Sequence, residues 1–106
     1  MQTKAILSGD ELESLRLLSE RVRLARLRRN LSQAELAERM GVRRLTVVNL
    51  EKGRPGVTIS TLLKALTVLG YTERLGELLA TDPIGEDMEI ATGRKRAGSR
   101  AGVADF

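Results

Sequence analysis

A single glycine divides two short apolar repeats within residues 31–53, LSQAELAERMGVRRLTVVNLEKG. The repeats place apolar residues about one helical turn apart on each side of the glycine: Leu36 and Met40, then Val47 and Leu50. This spacing predicts two short helices that each bury one face. Gly41 can adopt the positive φ that a tight turn needs, and we expect Val42 to fill the angle between the helices.

Helix-start and helix-stop signals extend this pattern along most of the chain. Ser8 with Glu11, and Ser32 with Glu35, have the spacing of capping boxes. Asn30 is expected to end the first helix in a left-handed conformation. The predicted fold is all-α with five helices: one from the Ser8 cap to about Arg28, then Gln33–Met40, Arg44–Glu51, Ile59–Leu69 and Glu73–Leu79.

Leucine supplies most of the predicted core, because the 106 residues include one Tyr, one Phe and no Trp. The apolar spacing predicts inward faces on two helices: Leu15, Leu18, Val22 and Ala25 on the first, and Ile59, Leu62, Leu63, Leu66 and Leu69 on the fourth. A second apolar row on the first helix, Leu17, Leu24 and Leu27, exceeds what one amphipathic stripe needs. That row is available to receive the C-terminal segment.

The chain changes character after Asp82-Pro83. Residues 84–90, IGEDMEI, are compatible with a lone strand that pairs across a dimer or with an irregular segment. Residues 92–106 are small, basic and rich in glycine, which predicts a disordered tail. We therefore expect a helical domain over residues 1–81, a C-terminal segment over 82–91 and a basic flexible tail over 92–106.

Composition argues against an enzyme. The chain has no Cys and no His, which removes disulfides, thiolate nucleophiles, imidazole bases and most zinc sites. Glu86, Asp87 and Glu89 are too loosely spaced to indicate a metal site. We therefore expect no catalytic residue, no metal and no cofactor. No apolar run approaches the length of a bilayer span and no secretory signal opens the sequence, so we also expect a cytoplasmic protein.

Positive charge is concentrated where the two short helices lie. Residues 21–54 hold ten basic and three acidic side chains, whereas residues 55–93 hold two basic and six acidic ones. A basic cluster of this kind is typical of a surface that binds a polyanion, and it also serves as a solubilising face. Glu51 lies late in its helix, where the helix dipole disfavours an acid, so we expect it to pair with an arginine of the first helix.

Two short helices joined in this way form a helix-turn-helix, which lays its first helix across a DNA backbone and its second in the major groove. Four side chains of the second of these helices are expected on the groove side: Leu45, Thr46, Val48 and Asn49. Apolar groups there can meet thymine methyls, and Asn49 can bond base edges. For Leu45 and Val48 the alternative is packing against the protein's own tail or a neighbour.

The sequence resembles the phage-repressor and Cro-like helix-turn-helix family. The resemblance covers residues 18–79 and rests on RVRLARLRRNLSQAELAERMGV, the LEKG after the third helix, and ISTLLKALTVLG in the fourth. The RLARLRRNLSQ entry, the short fifth helix and the basic tail are most similar to HipB-like antitoxins. The resemblance implies a dimeric repressor that binds a pseudo-palindromic operator in double-stranded DNA, regulates its own operon and binds a HipA-like kinase toxin.

The family's contact positions imply five further DNA-binding residues. Gln33 opens the second helix, where the resemblance implies a bond to a phosphate or a base edge. Arg44 matches a base-reading position and suits bidentate pairing with guanine, whereas Arg43 is placed to hold a phosphate. Lys52 and Arg54 follow the third helix, where members of the family clamp the DNA backbone.

One such unit reads only a few base pairs, so two units are expected to place their third helices about 34 Å apart around a twofold axis. The acidic, leucine-rich C-terminal part is the expected dimer surface, with Tyr71, Leu75, Leu78, Leu79, Ile84, Met88 and Ile90. These leucines also suit closure of the monomer core. A protein-interaction module that acts mainly by binding a partner protein is the alternative function, because the C-terminal half is acidic and the third helix departs from the family's common residues.

Overall fold

The computed structural model describes residues 6–93, and every regular element within that range is helical. The elements are α1 (Gly9–Arg28), α2 (Gln33–Met40), α3 (Arg44–Glu51), α4 (Ile59–Leu69), a 3₁₀ helix (Thr72–Glu77) and α5 (Pro83–Thr92). The all-α prediction is confirmed, and α1 to α4 have the predicted bounds. The described residues divide into two compact units, one ending at Leu75 and the other beginning at Gly76. The predicted tail lies outside the described residues from position 94 onward.

The local signals for helix starts and stops act as the sequence predicts. Both capping boxes form, and in the second one the Glu35 amide donates to Ser32 Oγ over 3.0 Å while the Ser32 amide donates to Glu35 Oε1 over 2.8 Å. The hydrogen bonds from the Ser32 amide and hydroxyl lower the pKa of Glu35 below its usual 4.5. Asn30 has φ 56°, so it ends α1 in the left-handed conformation expected of it.

The core of the first unit lies where α2 and α3 meet α1 and α4. Seven residues form its buried cluster: Val22, Leu36, Ala37, Met40, Val47, Leu50 and Ala65. Val42 packs against this cluster from the turn between α2 and α3, as predicted. Gly41 ends α2 with φ 76°, and its amide donates to the carbonyl of Glu38. The turn therefore depends on a left-handed backbone that glycine adopts without strain.

Three of the predicted inward residues are exposed instead: Leu18, Ile59 and Leu63. Leu18 is 38% exposed, because α1 turns a different stripe toward the core, with Ser19, Val22 and Arg26 as its buried residues. These positions are three and four residues apart, which is the helical spacing, but two of them are polar. On α4, Ile59, the first residue of the helix, is 73% exposed and Leu63 is 38% exposed. Leu69 is buried as predicted, and Ala65 is buried although it was not predicted to be.

The predictions for the C-terminal part are wrong in two respects. The expected fifth α-helix, Glu73–Leu79, is a 3₁₀ helix over Thr72–Glu77, and Leu79 has φ 67°, which is outside any right-handed helix. Residues 84–90 are neither a strand nor irregular, because they lie within α5. Asp82 accepts a hydrogen bond from the Gly85 amide over 3.0 Å, and Pro83 takes the first helical position. Asp82-Pro83 therefore ends the preceding segment and also begins α5.

We expect Gly41→Ala to lower the free energy of unfolding by about 1–2 kcal/mol, because a Cβ is strained at a positive φ. Gly9→Ala is the matched control, since Gly9 lies in α1 with open space around the position of a Cβ. Urea denaturation followed by circular dichroism compares the two variants with the parent chain. Equal stability of Gly41→Ala and Gly9→Ala would contradict the role assigned to the turn.

Candidate nucleic-acid interface

A buried ion pair joins the C-terminal part of α1 to the last residue of α3. Arg26 donates from Nε to Glu51 Oε2 over 2.6 Å and from Nη2 to Glu51 Oε1 over 2.9 Å, and its Nη1 donates to the carbonyl of Leu31 over 2.8 Å. Only 8% of the Arg26 side chain and 3% of the Glu51 side chain are exposed. The hydrogen bond to Glu51 raises the pKa of Arg26 above its usual value. The predicted pairing of Glu51 with an arginine of the first helix is confirmed.

The carboxylate of Glu51 also orients Gln33, the first residue of α2. Gln33 Nε2 donates to Glu51 Oε1 over 3.2 Å, which leaves the amide oxygen for another donor. That oxygen accepts a hydrogen bond from Nη2 of Arg44, the first residue of α3, over 3.3 Å. A continuous chain of hydrogen bonds therefore runs from buried Arg26 to exposed Arg44 and links the starts of both helices.

α3 buries one face and exposes the other. Val47 is fully buried and Leu50 is 5% exposed, which fixes the rotation of the helix. Leu45 is 63% exposed on its outer side. Three further predicted contact residues are partly exposed: Thr46, Val48 and Asn49. The outer side of α3 thus combines an apolar side chain with hydroxyl and amide groups, which is the mixture that base edges and thymine methyls can contact.

Four exposed cations surround this outer side: Arg43 and Arg44 where α3 begins, and Lys52 and Arg54 where it ends. The acid among residues 43–54 is Glu51, and its charge is satisfied by Arg26. Among the α-helices of residues 6–93, α3 alone begins without a side chain that accepts a first-turn amide, since its N-cap is Arg43. The rim therefore has a positive potential and amide donors, both of which suit phosphate groups.

An open groove of about 260 Å³ adjoins the outer side of α3. It brings together three predicted contact residues, Thr46, Asn49 and Arg54. Its other wall contains residues that sequence reasoning did not assign to the site: Gly56, Val57, Thr58 and Thr61. The sequence feature that could have identified this wall is Thr58, because it is the N-cap of α4 and so marks a helix start that lies in the same groove. Hydroxyls of this kind are common partners of phosphate oxygens.

The predicted dimer residues fall into two groups. In the first unit, Tyr71 makes cation–π contacts with two arginines, with Arg74 Cζ 4.1 Å and Arg29 Cζ 5.9 Å from its ring centre, and Leu75 is half-buried. In the second unit the predicted residues are exposed: Leu78, Leu79, Ile84, Met88 and Ile90. On α5, Ile84 and Met88 are one turn apart and lie on one face.

The fold and the site together define a DNA-binding protein of the helix-turn-helix class. A family model described as helix-turn-helix matches residues 22–75, which is just over half of the chain. No curated protein matches this chain. The chain belongs to the helix-turn-helix family that includes the phage repressors and Cro-like regulators, and it is a DNA-binding transcriptional regulator. Within residues 6–93, every helix is too short or too polar to span a bilayer.

Removal of Glu51 is expected to destabilise the protein strongly. Glu51→Ala leaves the buried charge of Arg26 without a counter-ion, which typically costs about 3–5 kcal/mol of unfolding free energy. The double variant Arg26→Met/Glu51→Leu removes both charges and is expected to recover most of that loss. Thermal denaturation of the parent, the single variant and the double variant measures both effects. A single variant as stable as the parent would contradict the structural role of the pair.

Proposed function

We propose that the protein is a dimeric, sequence-specific transcriptional repressor in which α3 reads the major groove of a pseudo-palindromic operator. The observation that carries the proposal is the outer side of α3, where exposed Leu45 lies beside Arg44 within a rim of four cations. Direct readout needs side chains that project from the helix, and phosphate binding needs positive charge around them. Residues 43–54 supply both. A DNA partner would place the protein in the cytoplasm, at the nucleoid.

The contact residues divide into two roles. Arg44 and Asn49 have the donors that recognise base edges, and Leu45, Thr46 and Val48 offer apolar surface to thymine methyls. Phosphate contacts are assigned to Arg43, Lys52 and Arg54, and Gln33 is assigned to a phosphate or a base edge. Gln33 has a second role, because its amide oxygen accepts from Arg44 and so holds that guanidinium near the start of α3.

Arg44→Lys separates these roles, because lysine keeps the charge and loses the bidentate donor geometry. We expect it to relax the preference at one base position and to weaken specific binding by about 1–3 kcal/mol. Lys52→Ala is expected to weaken binding to all sequences alike and to reduce the salt dependence by about one phosphate contact. Duplexes selected from a randomised library, followed by fluorescence anisotropy at two salt concentrations, measure both.

Two outcomes of that experiment would contradict the proposal. One is an unchanged base preference in Arg44→Lys. The other is weak binding of the parent chain that is independent of salt, since phosphate contacts release counter-ions and make affinity fall steeply with salt. The second outcome would favour a protein-interaction module, which the acidic charge of residues 55–93 and the exposed apolar side chains of α5 also suit.

We further propose that the C-terminal residues form the dimer surface. Ile84 and Met88 are 76% and 62% exposed, and burial against a second copy would remove this apolar surface from water. The other assigned residues are Tyr71, Leu75, Leu78, Leu79 and Ile90.

Sedimentation velocity tests the dimer surface with Ile84→Lys/Met88→Lys, which puts two charges on the apolar face of α5. We expect this variant to be monomeric with unchanged helicity. Glu86→Lys is the control, because it adds a cation to the same helix without removing an apolar side chain. A variant that stays dimeric would show that another surface holds the copies together.

The finer proposal is an antitoxin of the HipB type that binds a HipA-like kinase. It is supported by the RLARLRRNLSQ entry to α2 and by the basic residues 94–96 and 100. A kinase-like reading frame directly downstream is expected, and its product should co-purify with this protein and lose toxicity when the two are expressed together. A downstream gene of another kind, or a kinase that does not bind, would contradict the antitoxin proposal and would indicate a stand-alone repressor.

A further inference from the structure

The outward face of α1 carries apolar side chains that the core does not use. Leu17, Leu24 and Leu27 are 41%, 38% and 42% exposed. Leu17 and Leu24 lie on the side of α1 opposite its buried residues Ser19, Val22 and Arg26, as the spacing of residues along a helix requires, and Leu27 lies between the two sides. None of these leucines belongs to the α3 surface or to the proposed C-terminal dimer surface.

Four residues along the middle of this face are spaced symmetrically, but the residues at its two ends carry opposite charges. In chain order this central stripe consists of Glu13, Leu17, Leu24 and Arg28. Leu17 follows Glu13 by four residues and Arg28 follows Leu24 by four, so the stripe has the same spacing when read from either end. Its ends carry opposite charges, and its two inner positions are both leucine.

From this pattern we infer that the outward face of α1 is a surface for self-association, on which α1 of a second copy packs in the antiparallel direction. An antiparallel twofold contact uses the same patch on both copies. It sets Leu17 against Leu24 of the second copy, and Glu13 against Arg28 of the second copy. A parallel arrangement would instead place like charges together at both ends, which is destabilising.

The contact is compatible with the ion pair that Glu13 already makes. Arg16 donates from Nη2 to Glu13 Oε2 over 2.6 Å and from Nε to Oε1 over 3.1 Å. Both side chains remain more than half exposed, with 60% of Arg16 and 62% of Glu13 accessible. A carboxylate has about four lone-pair sites, so Glu13 can accept from a second guanidinium without losing the first.

The small area of this face indicates that the contact forms only where two copies are already close together. A few half-exposed leucines on one helix bury well below the roughly 1,200 Å² of a standard stable interface. The contact is therefore weak in dilute solution and acts where copies are already held near one another. DNA supplies that condition, since proteins bound to neighbouring sites have an effective concentration on the order of millimolar. This step rests on the proposed DNA binding, and its consequence is cooperative occupation of adjacent sites.

The test compares duplexes with one selected site and with two sites, whose spacing is varied by single base pairs over one helical turn. The parent chain is expected to bind the second site more tightly than an isolated site at one spacing. Glu13→Arg should reduce this cooperativity about tenfold, because two symmetry-related ion pairs become repulsive. The charge-swapped double variant Glu13→Arg/Arg28→Glu should recover it, since the ends of the stripe are again complementary.

Affinity for the single-site duplex separates this inference from the proposed function. If no duplex binds with salt-dependent affinity, DNA binding itself fails. If single-site binding is intact and no spacing gives cooperativity, or if the double variant does not recover it, the inference about α1 is overturned.

NMR spectra of the full chain without DNA, recorded at concentrations up to about millimolar, test the contact between α1 helices independently of DNA binding. Shifts of α1 amides that depend on concentration support the contact. Leucine side chains that are protected at every concentration would show that the chain's own C-terminal segment covers the face, and would overturn it.

Discussion

The buried ion pair between Arg26 and Glu51 is the interaction on which the DNA-facing surface depends. It ties the end of α3 to α1, and through Gln33 it reaches Arg44 at the start of α3. It also determines the charge of the surface, because the acid among residues 43–54 is neutralised inside the protein. A buried ion pair of this kind contributes little net stability compared with well-packed apolar residues. The role of the Arg26–Glu51 pair is therefore to hold α3 in one orientation.

The outer side of α3 departs from the rules that favour local stability. Arg43 is a poor N-cap, and Leu45 exposes most of an apolar side chain to water. The protein tolerates these features because Val47 and Leu50 anchor the opposite side of the helix in the core. Places where local rules are broken next to a well-packed core are where functional contacts are expected. The groove lined by Thr58 and Thr61 extends the same surface beyond the helix.

The sequence was sufficient to predict α1 to α4 and the turn at Gly41, because caps and apolar spacing act over a few residues. It could not show that Arg26 is the partner of Glu51, since 25 residues separate them and the first helix has four other arginines. The apolar spacing predicted that Leu18 is buried, whereas α1 buries the polar Ser19 instead. Sequence reasoning missed α5 because Asp82-Pro83 is a breaker for one helix and a start signal for the next. The groove residues Thr58 and Thr61 depend on how α4 packs, which spacing does not reveal.

NMR titration of the labelled protein with a selected duplex tests the central claim most directly, namely that α3 enters the major groove. The account predicts that the largest backbone shifts fall on residues 43–49, with smaller ones at Gln33 and in the loop that contains Lys52 and Arg54. It also predicts that residues 78–90 change little when the protein is already dimeric. Shifts concentrated on residues 78–90, with 43–49 unchanged at saturating duplex, would contradict it.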